Sequence, residues 1–289
     1  MPELPEVETV KRGLNKLIIG RKITSVKSDN PKSFPNSQVD VRSFIINAKI
    51  TCVRRRAKVL LIDLSTNYTL VIHLKMTGQL VFVTKANRFG AGHPNDSLIG
   101  LLPDKSTRVT FDFGDGSYLF FNDQRKFGWV RLVPTPEVPN IDFMKKVGPE
   151  PLDDDFTALQ FAERFKRRSR TTIKAAILDQ TVIAGVGNIY ADESLWGAKI
   201  HPAKIVGDLS FSKFKHLFNE VRYVMNLSIE KGGSTNRNYV NAEGKKGSYM
   251  DFARVFRQEG LPCPRCGTEI IKIKVASRGT HICPKCQRL

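Results

Sequence analysis

The stretch CPRCGTEIIKIKVASRGTHICPKC, residues 263–286, decides the fold of the C-terminal part of this chain. It contains two Cys-x-x-Cys pairs, Cys263 with Cys266 and Cys283 with Cys286, separated by sixteen residues. Two such pairs supply four thiolates, which complete a tetrahedral shell around one zinc ion. Since no ligand position is left for water, the predicted zinc is structural. A redox dithiol is the alternative that cysteine spacing alone leaves open.

The residues between the two cysteine pairs have the pattern of a β-hairpin. Glu269–Val275 alternates as a strand, Ser277–Gly279 is typical of a turn, and Thr280–Ile282 begins a return strand. A hairpin of this size cannot fold on apolar burial alone, so metal binding would supply its folding free energy. Arg278 in the turn suits a phosphate contact, and a solvent-exposed cation is the alternative.

The charge of the whole chain indicates a polyanionic partner. Lys and Arg number 46 against 28 Asp and Glu, a formal net charge of +18 over 289 residues. A magnitude of roughly 2–8 suffices for solubility. Nucleic acid is the first candidate and an anionic membrane surface the second, with a basic protein lacking such a partner as the remaining alternative. The chain has no apolar run near the roughly 20 residues of a membrane span and no signal-peptide pattern, so we expect a cytoplasmic location.

A helical part precedes the hairpin. Pro134–Pro151 contains five prolines and is predicted as a linker. Periodicity after it predicts four helices, namely Phe156–Arg168, Thr171–Asp179, Asn188–Trp196 and one through Phe214 and Met225. The turn Gly185-Val-Gly-Asn188 leads into the third helix with Asn188 as the expected N-cap, and such a helix start can bind a phosphate. Simple helix capping explains the same turn.

The N-terminal part is predicted as one helix followed by a β-sandwich or barrel. Short strands occur between about Lys22 and Val133, with a hairpin signal at Asp115-Gly116. Lys85–Ser106 is rich in Gly, Pro and polar residues and is predicted as a long loop, and Ser234–Tyr249 as a mobile one. The fold class is therefore α+β, with parts at 1–133, 134–151, 152–250 and 251–289.

The second residue is a candidate nucleophile. Removal of Met1, which a small second residue favours, would leave Pro2 with a free secondary amine. An α-amino group has a pKa near 7.7–8.0, so much more of it is neutral at pH 7 than of a lysine, whose pKa is about 10.4. Such an amine can displace a base at the anomeric carbon of a nucleotide, and the resulting iminium promotes strand cleavage. Glu3 is placed for proton transfer, although both residues could simply start the helix.

Six segments together resemble the formamidopyrimidine-DNA glycosylases, of the wider group that includes endonuclease VIII. They are MPELPEVETV at 1–10, HLKMTG at 73–78, NDQRKFG at 122–128, GPEPL at 148–152, QTVIAGVGNIYADESLW at 180–196 and RGTHICPKCQ at 278–287. The resemblance implies a helix and β-sandwich, a helix–two-turn–helix domain and a zinc-finger hairpin. It also implies damaged double-stranded DNA as the partner, one structural zinc, no small-molecule cofactor and a monomer.

The resemblance assigns roles to individual residues. Pro2 corresponds to the Schiff-base nucleophile and Glu3 to the proton donor at the sugar. Lys58 corresponds to the lysine that assists β-elimination, and Arg278 to the finger arginine with a role in δ-elimination.

Further residues correspond to DNA contacts. Met76, Arg125 and Phe127 match the side chains that fill the gap left by a flipped nucleotide, which offsets a flipping cost of a few kcal/mol. On periodicity alone, Met76 and Phe127 would be core residues. Asn188 and Lys174 match phosphate contacts.

The opening PELPE favours the oxidised-purine branch of the family, whose substrates are formamidopyrimidines and 8-oxoguanine. An oxidised-pyrimidine glycosylase of the same family and a non-catalytic zinc-hairpin DNA-binding protein are the alternatives. Ser106 and Ser169 stand where the family pattern has a histidine and a lysine, and Lys85–Ser106 is longer than the family's usual connection.

Overall fold

The computed structural model describes residues 2–93, 95–234 and 249–289. Within them the chain divides into two compact units. The first runs to Lys145 and includes Lys231 to Ser234, and the second consists of Lys146–Glu230 and Tyr249–Leu289. The loop predicted at Ser234–Tyr249 lies almost entirely outside the described residues. The predicted division into sandwich, linker, helical and hairpin parts stays a prediction.

Helix α1 (Leu4–Leu17) opens the first unit. Of the apolar stripe that helical periodicity predicts, Val7, Val10 and Leu14 are fully buried and Leu17 is half-buried. The side chain of Asn15 pairs with the backbone of Val53, accepting from its N–H at 3.2 Å and donating to its carbonyl oxygen at 2.6 Å. The helix is therefore held to the neighbouring sheet by polar as well as apolar contacts.

The first unit is a β-sandwich, as predicted. Its strands in the described residues are β1 (Ser25–Ser28), β2 (Ile50–Arg56), β3 (Val59–Leu64), β4 (Tyr68–His73), β5 (Gly78–Val83), β6 (Arg88–Gly92), β7 (Thr107–Asp112), β8 (Tyr118–Asp123) and β9 (Trp129–Pro134). They form two antiparallel sheets with the orders β1-β7-β8-β5-β6 and β2-β3-β4-β9. Side chains of both sheets and of α1 share one core, among them Leu60, Phe82 and Phe111.

The segment Lys85–Ser106 is not the long loop that its composition predicts. Strand β6 occupies Arg88–Gly92 and pairs with β5, and a 3₁₀ turn follows at Asp96–Leu98. The glycines permit close packing: a Cβ on Gly92, whose φ is +128°, would lie 2.5 Å from the carbonyl oxygen of Gly78. A glycine-rich composition therefore marks a tightly paired strand at this place.

The proline-rich segment also contains regular structure. A 3₁₀ helix occupies Thr135–Asn140, and the short helix α3 occupies Asp142–Lys146, following α2 (Gln38–Asp40) and a π-helical turn at Val41–Ile45 earlier in the chain. Val138 is buried in a cluster with Val59, Leu61 and Val71. The apolar residues between the prolines therefore pack against the outer face of the second sheet.

The second unit contains four longer helices and a hairpin. These are α4 (Ala158–Lys166), α5 (Ile173–Leu178), α6 (Asn188–Gly197), α7 (Phe211–Glu230), β10 (Ile271–Val275) and β11 (Arg278–Ile282). Each predicted helix is confirmed within a few residues. Phe161, Phe165, Phe214 and Phe218 join α4 to α7 through ring contacts. Among the described residues, no helix is both long and apolar enough to span a bilayer.

The packing of α1 against the sandwich can be tested at Gly13. A Cβ at this position would lie 2.1 Å from the ring of Phe89 on β6, which is itself buried. We expect Gly13→Ala to lower the free energy of unfolding by about 1–3 kcal/mol through overpacking, measured by thermal or urea unfolding. The double variant Gly13→Ala/Phe89→Leu should recover part of the loss. An unchanged single variant would contradict this packing.

Candidate functional site

The start of α1 is fixed by one buried carboxylate. Pro2 and Glu3 are both buried. The backbone N–H of Glu3 donates to Oε2 of Glu6 at 2.7 Å, and the backbone N–H of Ser234 donates to Oε1 of the same carboxylate at 2.8 Å. Sequence reasoning gave Glu6 a place at the start of the helix but no role in the site, although the Glu3-x-x-Glu6 spacing is the signal of a capping box. The result is a first turn whose backbone is held in one position.

Lys58 belongs to the same cluster. It is buried at the turn between β2 and β3, directly after Ala57, whose φ is +52°. Burial lowers the pKa of Lys58, and the carboxylates of Glu3 and Glu6 partly oppose this by favouring the charged ammonium. A lysine in this environment releases its proton more readily than an exposed one, which suits it to a part in proton transfer.

An ion cluster braces the turn that carries Lys58. Nε of Arg55 donates to Oε2 of Glu8 at 3.1 Å, and its Nη1 donates to the carbonyl oxygen of Ala57 at 3.0 Å. Burial raises the pKa of Glu8, but hydrogen bonds from Lys11, Arg55 and Arg12 hold it below its usual value. Glu8 of α1 thus connects the helix that begins at Glu3 to the turn of Lys58.

Three predicted DNA-contacting residues lie on two loops of the sandwich. Met76 follows β4 and is 42% exposed, while Phe127 follows β8 and is 55% exposed. The guanidinium of Arg125 lies over the Phe127 ring, 4.9 Å from its centroid. In the loop of Met76, Nδ1 of His73 accepts a hydrogen bond from the backbone N–H of Lys75 at 3.0 Å. Burial lowers the pKa of His73 to about 3, so the imidazole can remain a neutral acceptor.

Asp123 joins these two loops and was missed by sequence reasoning. It is 1% exposed and stands at the end of β8. Its Oδ1 accepts hydrogen bonds from the hydroxyl of Thr77 and from the backbone N–H of Arg125, the latter at 3.2 Å, and its Oδ2 accepts from the N–H of Gly128 at 2.6 Å. Its acidic side chain inside the quoted NDQRKFG segment was the available signal. A single carboxylate therefore sets the loops that present Met76, Arg125 and Phe127.

In the second unit, the predicted DNA contacts differ in exposure. Arg278 is exposed and follows a two-residue turn in which Ala276 and Ser277 have φ of +50° and +59°. Asn188 is not the N-cap of α6, since Gly187 holds that position with an extended backbone. The amide Nδ2 of Asn188 instead donates to the carbonyl oxygen of Gly279 at 3.0 Å.

Lys174 is placed differently from the sequence expectation. Its side chain is completely buried in an ion pair with Asp192, which is also completely buried. The phosphate contact of Lys174 stays a prediction. The buried ion pair does not support it, because the ammonium would have to leave a buried carboxylate to reach solvent.

The four hairpin cysteines converge as predicted. Their sulfur atoms all lie within 4.8 Å of one another, with 3.4 Å between Cys266 and Cys283 and 4.0 Å between Cys263 and Cys286. Tetrahedral zinc with Zn–S bonds of about 2.3 Å requires sulfur separations of about 3.8 Å. The cluster fits one zinc ion, which would supply folding free energy and leave no ligand position for catalysis.

A helix-led β-sandwich, a helical part and a four-cysteine hairpin, in this order, define the class of zinc-finger DNA glycosylases. Three family models match the chain in the same order: the formamidopyrimidine-DNA glycosylase N-terminal domain at residues 1–130, the H2TH domain of the same enzymes at 147–240, and the zinc finger found in FPG and IleRS at 260–289. The chain belongs to the formamidopyrimidine-DNA glycosylase family.

Full-length relatives agree with this assignment. The formamidopyrimidine-DNA glycosylase of Desulforamulus reducens is 42% identical over 290 residues, covering 100% of this chain and 99% of that protein. A solved complex of a Lactococcus lactis FPG mutant with Fapy-dG-containing DNA has a TM-score of 0.87 and 37% identity, with 100% of both chains covered. A complex of MutM with carbocyclic 8-oxo-G-containing DNA has a TM-score of 0.85, 37% identity and the same coverage.

The role of Asp123 can be measured through the amides that it binds. In Asp123→Asn, one acceptor oxygen becomes an NH₂ group that faces the other donors, which should cost about 1–3 kcal/mol. We expect faster hydrogen exchange at the amides of Arg125 and Gly128. Thr77→Val, which removes one hydroxyl donor and keeps the carboxylate, should change the Gly128 amide much less. Equal protection of Gly128 in all three proteins would contradict the role of Asp123.

The zinc site can be tested against a cysteine outside it. Cys266→Ser should abolish stoichiometric zinc and unfold the hairpin, because three thiolates no longer close the shell. Cys52→Ser, in strand β2, should retain about one zinc per chain. Metal analysis and circular dichroism with and without chelator give the readout. Full zinc occupancy in Cys266→Ser would exclude the predicted ligand set.

Proposed function

We propose that this protein is a bifunctional DNA glycosylase and AP lyase of base excision repair that excises oxidised purines, with Pro2 as its nucleophile. The observation that carries the proposal is the buried cluster of Pro2, Glu3 and Lys58 in a member of the formamidopyrimidine-DNA glycosylase family. The family is one of glycosylases with lyase activity. The non-catalytic alternative gives no reason to bury a lysine beside two carboxylates.

The proposed chemistry starts at the secondary amine of Pro2 after Met1 is removed. Its nitrogen bonds to C1′ of the damaged nucleotide, the glycosidic bond breaks, and the base leaves with the bonding electrons. Glu3 protonates the ring oxygen as the sugar opens to an iminium. Loss of a proton from C2′ then breaks the C3′–O bond in β-elimination, assisted by Lys58. The lowered pKa of Lys58 supports a part in this proton transfer.

A second elimination completes strand cleavage in this proposal. It breaks the C5′–O bond, so that a phosphate remains at each side of the one-nucleotide gap. Arg278 grips a phosphate and assists this step. Its exposure directly after the hairpin turn and its guanidinium group suit such a contact.

DNA binding in the proposal uses both units. Phe127 and Met76 wedge the stack and Arg125 faces the orphaned cytosine, which explains why two large apolar side chains remain exposed on one pair of loops. Asn188 contacts phosphate at the start of α6. The net charge of +18 supports a polyanionic partner. In this proposal the protein is a cytoplasmic monomer with three functional domains: the sandwich, the helical part after the 134–151 segment, and the hairpin.

The proposed substrates are formamidopyrimidines and 8-oxoguanine. The PELPE opening supports this branch, as do the solved complexes of relatives with DNA that contains Fapy-dG and with DNA that contains carbocyclic 8-oxo-G. Release of 8-oxoguanine and of thymine glycol from otherwise identical duplexes compares the two branches. Preferential release of thymine glycol would favour the oxidised-pyrimidine alternative.

Borohydride reduction tests the nucleophile directly. Processed wild-type protein should form a covalent adduct on Pro2 with a duplex that contains 8-oxoguanine. Pro2→Gly keeps an amine but loses the secondary one, so trapping and strand cleavage should fall at least tenfold while binding in a gel shift is kept. Protein that retains Met1 should give no adduct. An adduct mapped to any other residue in active wild-type protein would overturn the assignment.

A further inference from the structure

Helix α6 contacts the backbone of strand β11 at two matched points. Asn188 and Asp192 are one turn apart on the helix, and Gly279 and His281 are two residues apart on the strand. Nδ2 of Asn188 donates to the Gly279 carbonyl oxygen, and the backbone N–H of His281 donates to Oδ2 of Asp192 at 3.0 Å. Four helical residues rise about 6 Å and two strand residues about 6.6 Å, so the spacings agree.

Of these two contacts, the one made by Asp192 has the larger desolvation cost, because its carboxylate is buried. Both Asp192 and Lys174 are fully buried, and Nζ of Lys174 binds Oδ1 of Asp192. Oδ2 also lies 3.0 Å from Nδ1 of His281. A buried carboxylate is tolerated only when a cation and hydrogen bonds compensate its lost hydration. Lys174 of α5 supplies the compensating cation for Asp192.

The other side of His281 is also bounded by charge. Its Nε2 lies 3.3 Å from Oε2 of Glu259, and Glu259 lies 3.6 Å from Nζ of Lys272 on β10. The Phe256 ring packs edge-on against the imidazole at 5.0 Å. The imidazole thus has little freedom to move away from Asp192.

The hairpin is also attached near the C-terminal end of α6. Arg265 donates to the carbonyl oxygens of Trp196 and Gly197 at 3.1 and 3.3 Å, and Nε2 of Gln287 donates to the carbonyl oxygen of Ile200 at 3.0 Å. These contacts hold the cysteine end of the hairpin. They leave the position of Arg278, three residues before His281 and directly after the turn, to the Asn188 and Asp192 contacts.

We propose that Asp192, with Lys174 and His281, is a positioning element that fixes where β11 lies along the axis of α6. It thereby fixes the position from which the side chain of Arg278 extends. Arg278 directly precedes Gly279, so the backbone from which its side chain extends is fixed by the same contacts. Lys174 acts as the partner of Asp192 and not as a phosphate ligand. The inference rests on the proposed role of Arg278 in δ-elimination.

The experiment compares elimination products. In Asp192→Asn, Schiff-base trapping on Pro2 and base release should stay within about threefold of wild type. The ratio of δ- to β-elimination product should fall at least fivefold, since only the second elimination uses Arg278. Glu163→Gln is the matched control: it removes one carboxylate from the same unit, where Glu163 pairs with Lys166 on an exposed face. Its product ratio should equal that of wild type.

A double variant separates positioning from general loss of structure. Lys174→Gln/Asp192→Asn leaves a neutral hydrogen-bonding pair without an unpaired buried charge, so it should recover at least half of the lost product ratio. Zinc content should be one per chain in every variant. A wild-type ratio in Asp192→Asn, or an equal loss of base release and δ-product with no recovery in the double variant, would overturn the proposal. Absence of any wild-type adduct would instead overturn the proposed function.

The salt dependence of DNA binding tests the second half of the inference. A lysine on a phosphate contributes about one unit to the slope of log K against log salt. We expect Lys174→Gln to keep the wild-type slope. A slope reduced by about one would restore Lys174 as a phosphate ligand and contradict its assignment as the partner of Asp192.

Discussion

The burial of α1 against the sandwich is the interaction on which the N-terminal cluster depends. Chain termini normally fray, because their first residues bury little surface and make few hydrogen bonds. In this chain Val7, Val10 and Leu14 of α1 are fully buried, Phe89 packs on Gly13, and Asn15 pairs with the backbone of Val53. A terminal amine can serve as a nucleophile only if its position is as well defined as that of a side chain in a core.

In both units, buried charged side chains hold the backbone in place. In the first unit Glu6 holds the backbone at Glu3, and Glu8 with Arg55 holds the turn before Lys58. In the second, Glu193 accepts the backbone N–H groups of residues 254–256, which lead into the hairpin. Charged hydrogen bonds are shorter and stronger than neutral ones. Carboxylates that bind backbone N–H groups therefore hold the main chain more strongly than neutral acceptors would.

The sequence predicted those features that depend on residues close together in the chain. The Cys-x-x-Cys pairs, the strand Val59–Leu64 and the helix starting at Asn188 were all found from local spacing. The β6 strand was missed because glycine has no side chain whose pattern could reveal pairing, and only the partner strand explains Gly92. Lys174 was misplaced for the same reason, because its environment depends on a residue that is distant in the chain. Its partner Asp192 is eighteen residues away, and a lysine with an unknown partner is expected at the surface.

The residues named by family resemblance and those found from contacts are complementary. Resemblance named the side chains that would touch DNA, such as Arg125 and Phe127, whereas contacts revealed the residue that holds them, Asp123. An exposed phenylalanine loses the benefit of burial, and the loop carrying it would be expected to collapse onto the sandwich unless its backbone were fixed. Three hydrogen bonds to one buried carboxylate supply that restraint. The buried carboxylate of Asp123 and the exposed ring of Phe127 therefore belong to one structural feature, in which hydrogen bonds on both sides of Phe127 restrain the loop that exposes it.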